Sequence, residues 1–298
     1  MLRKLLHIAD ARDDGKPIAE ILKRRFGVSE MQLRRIRRTE KGLLKNGEEV
    51  YTIDTVRTGD KVEVILEPEE RESTGVVPTK GELDILFENE DVLILNKPAA
   101  LAVHPSHGHF DTSLGNIVMW YYVSQGEKFV FRPINRLDRG VSGVMAVAKN
   151  AYTHTFAARL LHSGDFYREY LAVVEGTFDE KKGKIVAPIG RRDGSVIERE
   201  VRTDGDFAET HYEVIEERCG LSLVKVLPIT GRTHQIRVHM AHLGHPLVGD
   251  FLYGEEIEEL KGRCALHSHK LHMKLPLGGG EIEITAPLPQ ELEEIFYG

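Results

Sequence analysis

The chain has 298 residues, 41% hydrophobic and 29% charged, enough to bury a full core in one large domain or in two. No run approaches the roughly 18 apolar residues of a membrane span. The two cysteines, Cys219 and Cys264, lie far apart in no paired motif, which argues against a disulfide framework or a cysteine zinc site and for a reducing, cytoplasmic setting.

The first elements carry most of the positive charge. Net charge is −7, yet ten Lys or Arg face only three Glu between Lys16 and Lys45, a local footprint that suits nucleic acid better than the total does. Pro17 opens a predicted helix in PIAEILKRRFG, with Ile18, Ile21, Leu22 and Phe26 at helical spacing and Gly27 as its stop. Ser29 and Gln32 form a capping box for a second helix, SEMQLRRIRRTEKG. On that helix Leu33 and Ile36 share one side, and Arg34, Arg35, Arg37 and Arg38 cover the opposite arc. A charge run is ordinarily a solvated face, but surface helices usually mix signs to gain i,i+4 pairs, and this one does not. KNGEEV reads as a hairpin turn and VRTGDKVEVIL as a strand ending at Leu66. The segment resembles the RNA-binding domain named after small-subunit ribosomal protein four, over roughly residues 14–68.

EPEERESTGVVPTK then reads as a linker, dividing the chain into a module at 1–68, a linker at 69–80 and a larger domain at 81–298. In that domain ILFENEDVLILNKP predicts two strands around a turn, and SLGNIVMWYYVSQ a helix capped by Ser113. The run from Val141 to Ala148 reads as a strand covered on both faces. Helix AYTHTFAARLLHSG, strand REYLAVVEG, and strands THYEVIEE and LSLVKVLPIT follow. A helix in TGRTHQIRVHMAHLG, strands KLHMKLP and EIEITAP, and a last helix LPQELEEIF complete the chain. Short turns between neighbouring strands imply an α+β fold, a largely antiparallel or mixed sheet with helices against it.

Four segments set unusual polar residues beside apolar strands: NKPAALAVHP with Lys97 and His104, RPINRLDRGVSG with Arg136 and Asp138, REYLAVVEG with Tyr170, and LPITGRTHQIRVHMAHLGHPLVGD with Arg232, His234 and Arg237. Their joint order resembles the RluA-like family of RNA pseudouridine synthases, over residues 81–298. The resemblance implies that Asp138 is the catalytic aspartate, Tyr170 the active-site tyrosine and Arg237 the arginine that pairs with the aspartate. It also implies that Arg136 enters the RNA helix where the target base leaves it. Arg232 and His234 are further candidate RNA contacts, with Arg34, Arg35, Arg37 and Arg38. Asn135 stands where the family usually has His, and Val141 where it usually has Thr, which puts loop bonding and substrate choice in question but not the reaction.

The chemistry agrees with these residue types. Isomerising uridine breaks the N–C glycosidic bond, turns the base and rejoins it through carbon. That requires a carboxylate able to attack or deprotonate near the sugar, kept ionised by an arginine in a water-poor pocket. A tyrosine offers a flat face for the base and an oxygen near the proton lost from C5. No electrons leave and no group passes to water, so no cofactor or metal is expected. The expected partner is structured RNA, ribosomal or transfer, with the protein a monomer. Two other readings stay open on the residues alone. One is a metallohydrolase using His104, His107 and His109 or His239, His242 and His245; the other is an RNA-holding factor without activity. A buried Arg–Asp pair is more often architectural than catalytic, and a lone strand Tyr is usually core.

Overall fold

The computed structural model describes residues 3–66, 75–106, 110–161 and 164–298. The basic N-terminal segment builds a sheet and a core of its own. Strand β1 (Arg3–Ile8) leads to α1 (Ile18–Phe26), which follows Pro17 and ends at Gly27 in the left-handed region, φ 70°. A side chain at 27 would be strained there, and its Cβ would fall 1.8 Å from the Arg159 guanidinium. The capping box at Ser29 and Gln32 opens α2 as expected. The helix spans only Glu30–Ile36, however, because Arg38 N–H closes tightly on Arg35 O and the chain turns into the next strand.

β2 (Leu43–Lys45) and β3 (Glu48–Glu49) flank Asn46–Gly47, both at positive φ, the hairpin expected from KNGEEV. β4 (Lys61–Leu66) pairs with both β1 and β2, so the order is β1-β4-β2-β3. β1 was not foreseen. In RKLLHI only Leu5 is buried while Leu6 and Ile8 are exposed, so no apolar alternation marks it.

This small core is not isolated. Tyr152 from the larger part of the chain packs among Leu5, Ile18, Leu22 and Val64. Arg3 pairs with Glu90 and with Asp91, itself buried. Residues 67–74 of the expected linker lie outside the described residues. Beyond them Val77 O accepts a bond from Asn116 Nδ2 at 2.7 Å.

The larger sheet contains β5 (Ile85–Glu88), β6 (Val92–Lys97), β7 (Ser142–Ala148), β8 (Phe166–Glu175), β9 (Lys182–Val186), β12 (Glu209–Arg218), β13 (Leu221–Pro228), β14 (Leu266–Lys274) and β15 (Glu281–Thr285). Its order is β5-β6-β7-β14-β8-β13-β12-β9, with β15 beside the second half of β14. Among these pairings only β7–β14 is parallel, so the α+β fold with a mixed, largely antiparallel sheet is borne out. β10 (Ile189–Arg191) and β11 (Arg199–Val201) form a separate two-stranded ribbon. Neither the ribbon nor β9 was foreseen, being too short to show a period.

Against the sheet stand the α-helices α3 (Leu114–Val123), α4 (Ala151–Leu160), α5 (Gln235–His242) and α6 (Gln290–Tyr297), with Ser113 and Asn150 capping the first two. Every residue of β7 is buried, as its apolar run predicts. Gly143 is required where β7 meets β14: its φ is 112°, and a Cβ would lie 2.2 Å from Ser268 O. That junction lies immediately after the turn carrying Asp138.

Candidate active site

The segment before Asp138 runs back along the edge of β7 that β14 leaves open. Ala148 N–H bonds Arg132 O at 2.8 Å, Ile134 N–H bonds Ala146 O at 2.7 Å, and Asn135 Oδ1 accepts Ala146 N–H at 2.8 Å. The chain then turns at Asp138, where Val141 N–H closes on Asp138 O at 3.1 Å. Lys97 fixes the turn from below. Its fully buried Nζ donates to Pro98 O and Leu101 O at 2.8 Å and to Arg139 O at 3.4 Å. Burial brings the lysine down to about 7, and the charge of Asp138 opposes that fall.

Asp138, Tyr170, Arg237, Arg136, Arg232 and His234 all line one open cleft. The Asp138 side chain is 32% exposed, and its Oδ2 lies 3.4 Å from Arg237 Nη1 and 3.8 Å from His234 Nε2. The expected Arg237–Asp138 pair therefore exists, but it is the lesser of two. Arg237 gives Nε and Nη2 to the fully buried Asp250 at 2.7 and 2.6 Å. Geometry explains this: the guanidinium fork meets one carboxylate with two parallel bonds and keeps a third nitrogen free to face the cleft. Burial pulls the arginine's pKa down, but its bonds to Asp250 hold it above the usual value. Removing one member of such a pair strands the other. Asp250→Ala is expected to cost about 3–5 kcal/mol of stability, read as a lowered denaturant midpoint at unchanged slope.

Tyr170 stands on β8 between Val226 of β13 and Ser268 of β14, almost fully buried at the cleft wall. Val141 and Leu266 supply apolar surface beside it, and Arg136 is exposed at the rim. The helix expected to open after Gly231 begins later, at Gln235. The Gln235 side chain closes the preceding turn, with Oε1 accepting Arg232 N–H at 2.9 Å and the Thr230 hydroxyl at 2.7 Å. Arg232 therefore sits in a turn, its Nε on Phe207 O, and His234 is the N-cap residue at φ 56°. Arg34, Arg35, Arg37 and Arg38 are exposed on the N-terminal part and do not line this cleft, and Arg37 Nε bonds Thr52 Oγ1 at 2.7 Å.

The trio of His239, His242 and His245 does not converge. His239 is buried, with Nε2 donating to Ala187 O and Nδ1 accepting from the Thr210 hydroxyl, and His245 stacks on Phe178 at 3.8 Å. His104 meets Phe131 edge-on, while His107 and His109 lie outside the described residues. Among the described residues no three His, Cys, Asp or Glu are grouped to hold a metal.

Sequence reasoning missed Arg168, Gln235, Asp250 and Tyr253. Arg168 precedes Tyr170 by two residues on the same strand face; its buried Nε has no partner among the described residues. Period-two spacing from Tyr170 was a signal that could have found it. Asn135 leaves Nδ2 buried without a partner among the described residues, and Val141 forms cleft wall.

The family model described as RNA pseudouridylate synthase matches residues 91–242. The chain belongs to that family. Its resemblance to the RluA-like synthases is borne out, and this synthase is an isomerase acting on RNA. It is 39% identical over 273 residues to the uncharacterized RNA pseudouridine synthase YjbO of Bacillus subtilis (strain 168), covering 92% of this chain and 96% of that one. It is 35% identical to the ribosomal large subunit pseudouridine synthase D of Escherichia coli (strain K12), covering 78% of this chain and 76% of that one. Among solved structures, human RNA pseudouridylate synthase domain containing 1 is similar with a TM-score of 0.57 and 27% identity, covering 69% of this chain and 83% of that one. Among the described residues, no helix of the synthase is long and apolar enough to cross a membrane.

Proposed function

We propose that the synthase isomerises uridines of ribosomal RNA to pseudouridine, with Asp138 as the catalytic carboxylate. The observation that carries this reading is the approach of Arg237 Nη1 and His234 Nε2 to one oxygen of Asp138, at the mouth of a cleft with Tyr170 in its wall. The ribosomal target is supported by the relatives named ribosomal large subunit pseudouridine synthase D.

In this reading the target base leaves its stack, at a cost of a few kcal/mol, and Arg136 fills the gap from the exposed rim. Asp138 acts at the ribose as nucleophile or base while the bond from C1′ to N1 breaks. The base turns, C5 joins C1′ and displaces the carboxylate where that had attacked, and the proton lost from C5 is balanced by the one gained at N1. Tyr170 lies flat against the base with its hydroxyl near C5. Arg237 faces the carboxylate from 3.4 Å, and Asp250 keeps Arg237 in place. Pseudouridine mapping of ribosomal and transfer RNA, with and without the gene, tests the target. Sites lost only from ribosomal RNA support the proposal, and sites lost only from transfer RNA contradict it.

The N-terminal part is, in the same reading, an RNA-binding module acting through Arg34, Arg35, Arg37 and Arg38. Because Tyr152 packs into its core, charge removal is a cleaner probe than deletion. Changing Arg34, Arg35 and Arg38 to Gln should weaken RNA binding. The slope of log affinity against log salt should become shallower by roughly 0.7–0.9 for each phosphate the protein ceases to neutralise. An unchanged slope removes this face from RNA contact.

A further inference from the structure

His234 is mostly buried, with a side chain 13% exposed, in a conformation few non-glycine residues adopt, φ 56° at the start of α5. Such a backbone persists where its surroundings hold it. Its side chain meets Tyr253, whose hydroxyl lies 2.7 Å from His234 Nδ1. That same oxygen accepts the backbone N–H of Arg199, the first residue of β11, at 2.9 Å. A backbone N–H can only donate, so the phenol oxygen accepts it and its own proton is available to Nδ1. With Nδ1 accepting, the neutral imidazole carries its hydrogen on Nε2, which faces Asp138 Oδ2 at 3.8 Å.

The supports for Asp138 share one origin. Asp250 holds Arg237, and three residues later Tyr253 holds His234, with Tyr253 N–H bonding Asp250 Oδ1 at 3.3 Å. The Arg237 guanidinium also lies over the Tyr253 ring, 5.1 Å from its centroid. One short turn, residues 250–253, thus orients both side chains that face the carboxylate.

We propose that His234, fixed by Tyr253, is a positioning residue for Asp138, presenting Nε2–H to the same oxygen that Arg237 faces and anchoring the carboxylate to the β10–β11 ribbon. This rests on Asp138 being the catalytic carboxylate. The 3.8 Å approach is longer than a hydrogen bond, and contacts of this kind often tighten when substrate is bound. Burial lowers the pKa of His234, and the charges of Arg237 and Arg199 lower it further while Asp138 and Asp250 raise it; the net direction is downward, toward the neutral imidazole.

The test uses the full chain with a transcript of its target RNA. Turnover at saturating RNA, RNA affinity and melting temperature are measured for Tyr253→Phe, His234→Ala and His234→Gln. Turnover should fall about tenfold in the Phe and Ala variants, equivalent to about 1.4 kcal/mol of barrier. Affinity should stay within about twofold of the parent, and Gln, whose amide also donates, should recover most of the activity. Weaker RNA binding with parental turnover would make His234 an RNA contact and overturn the proposal, as would parental turnover in Tyr253→Phe. Melting temperature and affinity falling together with turnover in all three variants would show a merely structural role and overturn it too. Asp138→Asn, measured alongside, separates the two readings. If that variant is inactive while His234→Ala is not, only the positioning role fails.

Discussion

Tyr170→Phe is expected to bind RNA as the parent does and to turn over about 10²–10⁴-fold more slowly, the usual range for losing one acid or base group. The ring stays, and with it the apolar packing between Val226 and Ser268, so the strand and the cleft wall should be unchanged. Only the hydroxyl is lost. A slower variant with parental affinity and melting temperature assigns that oxygen to the chemistry near C5. A Phe variant as active as Tyr assigns it to packing alone. Weakened binding instead would mean that the hydroxyl anchors RNA before any bond breaks.

Local chemistry in the sequence foretold much of this fold. The capping box at Ser29, the cap at Ser113, the left-handed stop at Gly27 and the Asn46–Gly47 hairpin all form where expected, because each is decided within four residues. β7 was legible for another reason: a strand covered on both faces has no polar residue to spare, and Ser142–Ala148 is buried throughout. What escaped was set by distant partners. β1 hides because its outward face carries Leu6 and Ile8, and only pairing with β4 defines it. The ribbon of β10 and β11 has three residues a side, too few for a period.

The candidate site divides in the same way. Asp138, Tyr170 and Arg237 stood out through the joint order of their segments and the family resemblance that order carries; taken singly, each had an architectural reading. The choice of partner could not. From the sequence Arg237 has one obvious carboxylate, Asp138. In the fold Asp250, thirteen residues further on, takes two of its nitrogens because it is wholly buried and Asp138 is not. Tyr253 and Arg199 enter only once the ribbon and the turn after α5 meet at one hydroxyl, across 54 residues of sequence. Spacing along the chain carries no trace of that meeting.

The arrangement bears directly on Asp138→Asn. Arg237 keeps both bonds to Asp250 in this variant, so removing the charge of Asp138 strands no buried cation. Asp138 is itself one-third exposed, so a neutral amide there carries little burial cost. The fold and the cleft should therefore survive, and RNA should still bind. The amide can neither attack carbon nor take a proton, so pseudouridine formation should stop. The decisive measurement is product formation by Asp138→Asn on its RNA, with melting temperature and RNA affinity taken from the same preparation. Parental stability, parental affinity and no detectable pseudouridine are expected if Asp138 is the catalytic carboxylate. Pseudouridine formed at near-parental rate by a folded, RNA-bound Asn variant would contradict it.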